Sequence, residues 1–549
     1  MRKRQRLSTL LFFLICSALS GGCSDGSHNN AQVSLLPEIA KAQRTVVTNA
    51  ALTNQEAPIP PQCYTRTEGK HNPCYTCHQA YDRNKTHQPR MNQLDDGGLQ
   101  GDYLFSDEGM SNHWQNLFID RREWLSKISD AQIIEYINQD NYSTLPTALA
   151  SSGWQGFIPD LQHYADANAA FLPTGVARDG SGWVAFNYKP FPGTFWPTNG
   201  STDDVVIRLP KKFRELGGAE NTEVYFINLS LLEAAIKQLD HINIPPSNEI
   251  ALGIDLDGDG ALKNNTSILV KRERYIGDAE NITVAAQQYP EGTEFMHSVR
   301  YVGVTEDGDI YIPPRMKELR YMQKIMELPP YAISSQYARE RKEKRLDQLP
   351  SFIDHASRGM ENGYGWLVQG FIEDYDGNLR PQSHEETFAC MGCHAAVGVT
   401  IDQTFSFARK VTGTKGWKYI DLKGMPDAAN ISEPGGEIRN YLQRAGGGSE
   451  FRENDEMLAR WYKDDGTLDD AKISGADVYS LITPSKARAL SLNKAYTQIV
   501  RQQSYIYGRD ANWQAGQNIF KEVDDNIPPL MPKNRFYQWD IRLDWPNSH

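Results

Sequence analysis

The sequence predicts an α+β multidomain chain in which mainly helical regions flank a β-rich central domain. Within residues 151–330, β-branched or alternating stretches (Val205 to Leu209, Thr222 to Ile227, Ile268 to Val270, Tyr301 to Val304) are separated by Gly, Pro and Asp turns. On either side lie helix-start signatures, Ser129-x-x-Gln132 and Ser383-x-x-Glu386, where a Ser side chain and a Gln or Glu three residues later satisfy each other's backbone amides. The 549 residues carry 40% hydrophobic and 23% charged side chains, which excludes a disordered, collagenous or coiled-coil chain. A net charge of -12 provides no basic surface for nucleic acid, so none is expected as a partner.

Taken in order, residues 1–22 read as an export signal. Arg2, Lys3, Arg4 and Arg6 precede an apolar run too short to span a bilayer, and small residues follow. The junction Leu19-Ser20-Gly21-Gly22-Cys23 resembles a lipoprotein signal, in which Cys23 is lipidated; ordinary cleavage nearby is the alternative. Ser24 after the Cys resembles the sorting pattern of outer-membrane lipoproteins of Gram-negative bacteria, so the expected location is the outer membrane or the periplasm. Residues 23–61, ending in Pro58-Ile59-Pro60-Pro61, read as a tether. A first region over 62–150, the β-rich domain over 151–330 and a helical region over 331–549 follow. The β-rich domain is expected to hold at least one helix, over Leu229 to Leu239, with Ser230-x-x-Glu233 as its box. Beyond it, Arg315 to Leu328, Ala338 to Leu346, Asn454 to Trp461 and Lys486 to Tyr505 are expected as helices.

Cysteine placement is the most informative feature. Of seven cysteines, Cys16 leaves with the leader, Cys23 is the lipid site, and Cys63 stands alone as a small buried hydrophobe or a free thiol. The other four form Cys74-Tyr75-Thr76-Cys77-His78 and Cys390-Met391-Gly392-Cys393-His394. C-x-x-C-H is the haem-attachment pattern: the cysteine thiols add to the two vinyl groups, and the His lies under the iron. The alternative is a four-cysteine zinc site, which has no need of the histidines. Asn72-Pro73 and the Ser383 box place both motifs in the first turns of short helices.

The two pentapeptides and the leader resemble those of dihaem c-type cytochromes. The resemblance implies two covalent haems held through Cys74, Cys77, Cys390 and Cys393, with His78 and His394 as proximal iron ligands, and helical haem-binding regions resembling cytochrome c. Distal candidates are His71, His87, Met91 and His113 for the first haem. For the second they are His355, His384, Met391, Met425 and Met531, of which Met425-Pro426 and Met531-Pro532 resemble the Met-Pro of small cytochrome c modules. Separately, Asp255, Asp257 and Asp259 match the first half of an EF-hand-type calcium loop, while Lys263 and Thr266 depart from its second half; calcium or a plain acidic turn are both open.

Three functions compete. One is an electron carrier between redox protein partners in the cell envelope. The second is a dihaem oxidoreductase, peroxidase-like, with one open haem site. The third is a partner- or substrate-binding protein whose haems relay electrons. A relay requires the two motifs to lie close in space, with the β-rich region to one side. Membrane attachment through a lipid alone gives the first prediction: Cys23→Ala moves the protein from the membrane to the soluble periplasmic fraction, and retention in membranes would mean another anchor.

Overall fold

The computed structural model describes residues 35–47, 52–77, 108–346, 348–395, 400–431, 433–447, 454–523 and 541–546. Its centre is an antiparallel sheet of eight strands: β1 (Val184–Ala185), β2 (Thr202–Arg208), β3 (Glu294–Arg300), β4 (Met316–Lys324), β5 (Ile353–Asp354), β6 (Met360–Glu361), β7 (Trp366–Glu373) and β8 (Leu379–Pro381). The spatial order is β1-β2-β3-β4-β7-β6-β5, with β8 also paired to β7. The register sets Val205 opposite His297, His297 opposite Arg320, and Arg320 opposite Gly370. One residue slips where β4 bulges between Met316 and Glu318.

Side chains alternate across this sheet, and both faces are covered. Val206, Met296, Leu319 and Phe371 enter a core with Trp183, Tyr142 and Tyr164. Val205, Phe295, Met322 and Val368 point the other way, into a second core that also takes in Tyr64, Trp114 and Phe388. The chain also forms helices α1 (Cys74–Cys77), α2 (Asp130–Ile137), α3 (Thr222–Lys237), α4 (Pro330–Arg345), α5 (His384–Phe388) and α6 (Lys486–Gln502). Residues from Leu35 onward form one compact unit.

This architecture corrects the expected fold class. The predicted helical flank over 331–549 contributes β5 to β8, so the sheet runs through the expected boundary at 330, and no cytochrome c-like helical modules flank a separate β-domain. The predicted helix over Arg315–Leu328 is the strand β4. Its Met and Leu spacing imitates a helical stripe because a strand buried on both faces loses its period-two signature. Thr222–Ile227, expected as a strand, opens α3: Asn221 caps it by accepting from the Val224 amide at 3.0 Å. The supposed box Ser230-x-x-Glu233 lies inside that helix and is fully buried, with Glu233 paired to Lys237 at 2.7 Å and to Lys410 at 2.6 Å. The boxes at Ser129 and Ser383 form as drawn from sequence.

A buried carboxylate joins the helical and sheet parts. Glu373 at the end of β7 pairs with Arg315 at 2.7 Å and accepts from the Tyr136 hydroxyl of α2 at 2.5 Å and the Tyr301 hydroxyl at 2.6 Å. Glu373→Ala leaves the Arg315 guanidinium buried without its counter-ion, and we expect a loss of roughly 3–5 kcal/mol. A shift of the urea midpoint at unchanged slope checks this.

Candidate functional site

One face of the sheet and both cysteine pairs enclose a cavity of 580 Å³. Cys63, Cys74, Cys77, Cys390 and Cys393 line it together with His394. Thus motifs 316 residues apart in number open on one space, as an electron relay would need. The sheet does not stand aside as a lobe, however; it forms a wall of the cavity, presenting Val205, Phe295, His297, Glu318, Arg320 and Met322.

The first pair sits on α1, where Asn72 Oδ1 accepts from the Cys74 amide at 3.2 Å. His78 lies outside the described residues. The second pair follows α5. Ser383 and Glu386 close the box at 3.2 and 2.8 Å, and Arg380 grips Glu386 with two bonds of 2.9 Å, which fixes the helix that delivers Cys390. The turn Ala389–Gly392 then carries the chain on, with the His394 amide donating to Cys390 O at 3.1 Å. Gly392 is required here because a Cβ would stand 2.2 Å from the carbonyl oxygen of Pro58, which lies against the motif.

His394 Nδ1 is 2.9 Å from the carbonyl oxygen of Gln403, so in the neutral ring the proton belongs on Nδ1 and the Nε2 lone pair is left for a ligand or metal. Burial pushes the imidazole pKa down to about 4, which keeps that lone pair unprotonated at neutral pH. Burial likewise raises Cys393 to about 11 and Cys77 well above the usual thiol range, and the neighbouring Cys393 and Cys63 thiols add to the effect at Cys77. The Cys77 and Cys393 thiols are therefore protonated at neutral pH. Among the described residues the one cluster with metal-ligand spacing is Glu249, Asp255 and Asp257, so the four cysteine sulfurs are not gathered as a zinc site requires.

The calcium candidates are placed differently from the expected loop. Asp257 pairs with the Lys263 ammonium at 2.6 Å, and Asp259 meets the same ammonium, so a lysine supplies positive charge to these two carboxylates. Asp255 accepts from the Gly258 and Gly260 amides at 2.7 and 2.8 Å. Glu249, not anticipated from sequence, accepts from the Leu256 and Lys263 amides.

His87, Met91 and Met531 lie outside the described residues. His113 is half-buried and off the cavity wall. His384 pairs with Asp354 at 2.7 Å and stacks on Phe388, and Met425 is buried in a core with Trp461; neither lines the cavity. The cavity-lining groups that sequence reading missed are His297, Glu318 and Arg320. The signal for His297 was the odd-numbered run Phe295, His297, Val299 on β3, and for Glu318 and Arg320 the even-numbered run Glu318, Arg320, Met322 on β4.

Comparison with known proteins adds the family. A family model described as a lipoprotein matches residues 46–479. An uncharacterized lipoprotein of Aquifex aeolicus (strain VF5) is 33% identical over 537 residues, covering 86% of this chain and 89% of the relative. No solved structure matches. These matches correct the family assignment drawn from two pentapeptides and a leader: the model that spans most of the chain is a lipoprotein family, not the dihaem c-type cytochromes. Among the described residues no helix is long and apolar enough to cross a membrane.

The half-buried, desolvated His394 has a testable consequence for stability. Its folded pKa of about 4 is below the unfolded value of about 6.5, so its contribution is fully present above pH 6.5 and is lost as pH falls toward 4. Denaturation of the protein at pH 6.5 and 4.5 checks this: the decline between the two should shrink in His394→Asn.

Proposed function

The chain belongs to this lipoprotein family, and on that premise we propose that it is a lipid-anchored electron-transfer protein of the cell envelope that carries two covalently attached haems. Cys23 is the residue that takes the lipid, and Ser24 favours the outer membrane over release into the periplasm. The observation that carries the haem reading is the convergence of both C-x-x-C pairs on one cavity with His394, whose Nδ1 is committed to a carbonyl and whose Nε2 is left over.

The residues fit such a group. Cys74 and Cys77 would hold one haem and Cys390 and Cys393 the other through thioethers, with His78 and His394 as proximal ligands. Once bound, each haem supplies a one-electron ferric/ferrous couple. The chain's own residues do the rest. Phe295, Phe191, Phe405 and Trp114 line the cavity with flat apolar surface suited to a macrocycle. Asn362 Nδ2 donates to the His394 carbonyl at 2.6 Å and holds the backbone there, while the Gln403 carbonyl at Nδ1 (2.9 Å) and Phe405, edge-on to the ring at 5.6 Å, fix the imidazole plane from two sides. The acidic net charge suits docking to a basic redox protein.

A second reading, an oxidoreductase with one open haem site, is favoured by the charged side chains of the cavity wall, which a plain carrier has no need of. The pyridine haemochrome of the purified lipoprotein should report two c-type haems per chain; fewer would overturn the proposal. His394→Ala should keep both haems tethered but change the absorption spectrum of one. Carbon monoxide binding by the reduced wild type would select the oxidoreductase.

A further inference from the structure

The cavity wall holds a group of hydrogen-bond donors that lack an acceptor. Arg320 projects from the middle of β4 and spends only Nε, on Glu318 Oε2 at 3.0 Å; among the described residues its two terminal nitrogens donate to nothing. The other cavity cations are engaged. Arg509 donates to Glu318 at 2.7 Å and to the Glu386 carbonyl, and Lys317 donates to the Gly200 carbonyl at 2.6 Å and to Ser201 Oγ at 3.2 Å. Arg409 is held by Glu437 and three backbone carbonyls. The hydroxyl of Tyr496, a cavity-lining side chain only 2% exposed, has no hydrogen-bond partner either. It lies within electrostatic range of Arg320 and Arg509.

Charge points the same way. Glu318 is buried and faces two guanidiniums, which hold its carboxyl down at about 2. The two guanidiniums share this one carboxylate as their ion-pair partner at the strand. The Arg320 guanidinium is not free to swing toward solvent, because Glu318 holds its Nε and the Phe195 ring covers it at 4.8 Å. A planar fork held at its base, with both prongs unspent and an orphan hydroxyl in the same cavity, matches a carboxylate in shape and charge.

We propose that Arg320, oriented by Glu318 and assisted by the Tyr496 hydroxyl, binds a carboxylate inside the cavity. The carboxylate comes either from a haem bound at the second motif, as its propionate, or from a small diffusible acid; only the first source rests on the haem reading. Arg320 is also within electrostatic reach of Cys390, which puts the site beside that motif.

The test uses the purified lipoprotein as wild type, Arg320→Gln and Arg320→Lys. Arg339→Gln serves as a control, since that cavity-lining guanidinium is already engaged by Glu343 and Ser351. Arg509 still neutralises Glu318 in the Arg320 variants, so the fold should persist, and Arg320→Lys preserves the charge while losing the fork. Three measurements are made on each: haem content, the reduction potential of each haem, and formate binding by calorimetry. If the acid is a propionate, Arg320→Gln lowers one reduction potential, Arg320→Lys lowers it less, Arg339→Gln leaves it alone, and formate binds nowhere. If the acid is diffusible, formate binds the wild type saturably and about tenfold or more weakly in Arg320→Gln. Wild-type behaviour of Arg320→Gln in both potential and formate binding would overturn the proposal. Absence of haem from every sample would instead overturn the haem reading, and formate binding alone would then decide this one.

Discussion

Strands β3 and β4 are covered on both faces, one by the aromatic core around Trp183 and Phe371 and the other by the walls of the cavity, so most of their polar side chains must find partners within the protein. The chain resolves this with charge pairs at the strand positions themselves. Glu318 takes Arg320 and Arg509; Asp204 on β2 takes Arg300 on β3 at 3.2 Å with the hydroxyls of Tyr164 and Ser298; Lys324 at the end of β4 takes Asp402 at 2.6 Å. Removing one member of such a pair strands the other, which is why these positions are more sensitive than their burial alone implies.

The same device ties the region after the second motif to the sheet side of the molecule. Lys410 and Lys237 share the carboxylate of Glu233, while Lys189 and Arg409 share that of Glu437 and Lys189 also reaches Asp427 at 2.5 Å. Desolvation lowers Lys410 to about 7, and its ammonium rests 3.9 Å from the Trp417 ring centre. These contacts join α3 and the segment between β1 and β2 to residues 409–437. They explain how His394 and Gln403 keep a fixed relation to a sheet whose strands come from far earlier in the chain.

What was legible in the sequence was local. The C-x-x-C-H strings, the boxes at Ser129 and Ser383, and the helices over Asn454–Trp461 and Lys486–Tyr505 depend on residues within a few positions of one another, and each has an element at or near the expected place. What was not legible depended on partners distant in sequence. Met316 to Lys324 reads as a helical stripe until β3 and β7 are known to pair on both its edges. Arg320 lies within that expected helix without distinction, and only the pairing of β4 brings it together with Glu318 and Arg509. The resemblance to dihaem c-type cytochromes rested on two pentapeptides and the leader, too little of the chain to fix a family.

The close approach of Pro58 to Gly392 concerns the order in which the molecule is assembled. The Asn54 amide donates to Glu385 Oε1 at 2.8 Å, a contact spanning 331 positions, so residues 54–58 cannot settle until the helix before the second motif exists. Loop closure over that distance is slow, and the cavity gains this side only as the last long-range contacts form. A secreted chain emerging from its N-terminus therefore presents Cys74 and Cys77 well before Cys390 and Cys393 arrive, with both pairs accessible in turn. The cavity is a product of the completed chain, and its two cysteine pairs meet on one space only through contacts between residues distant in sequence.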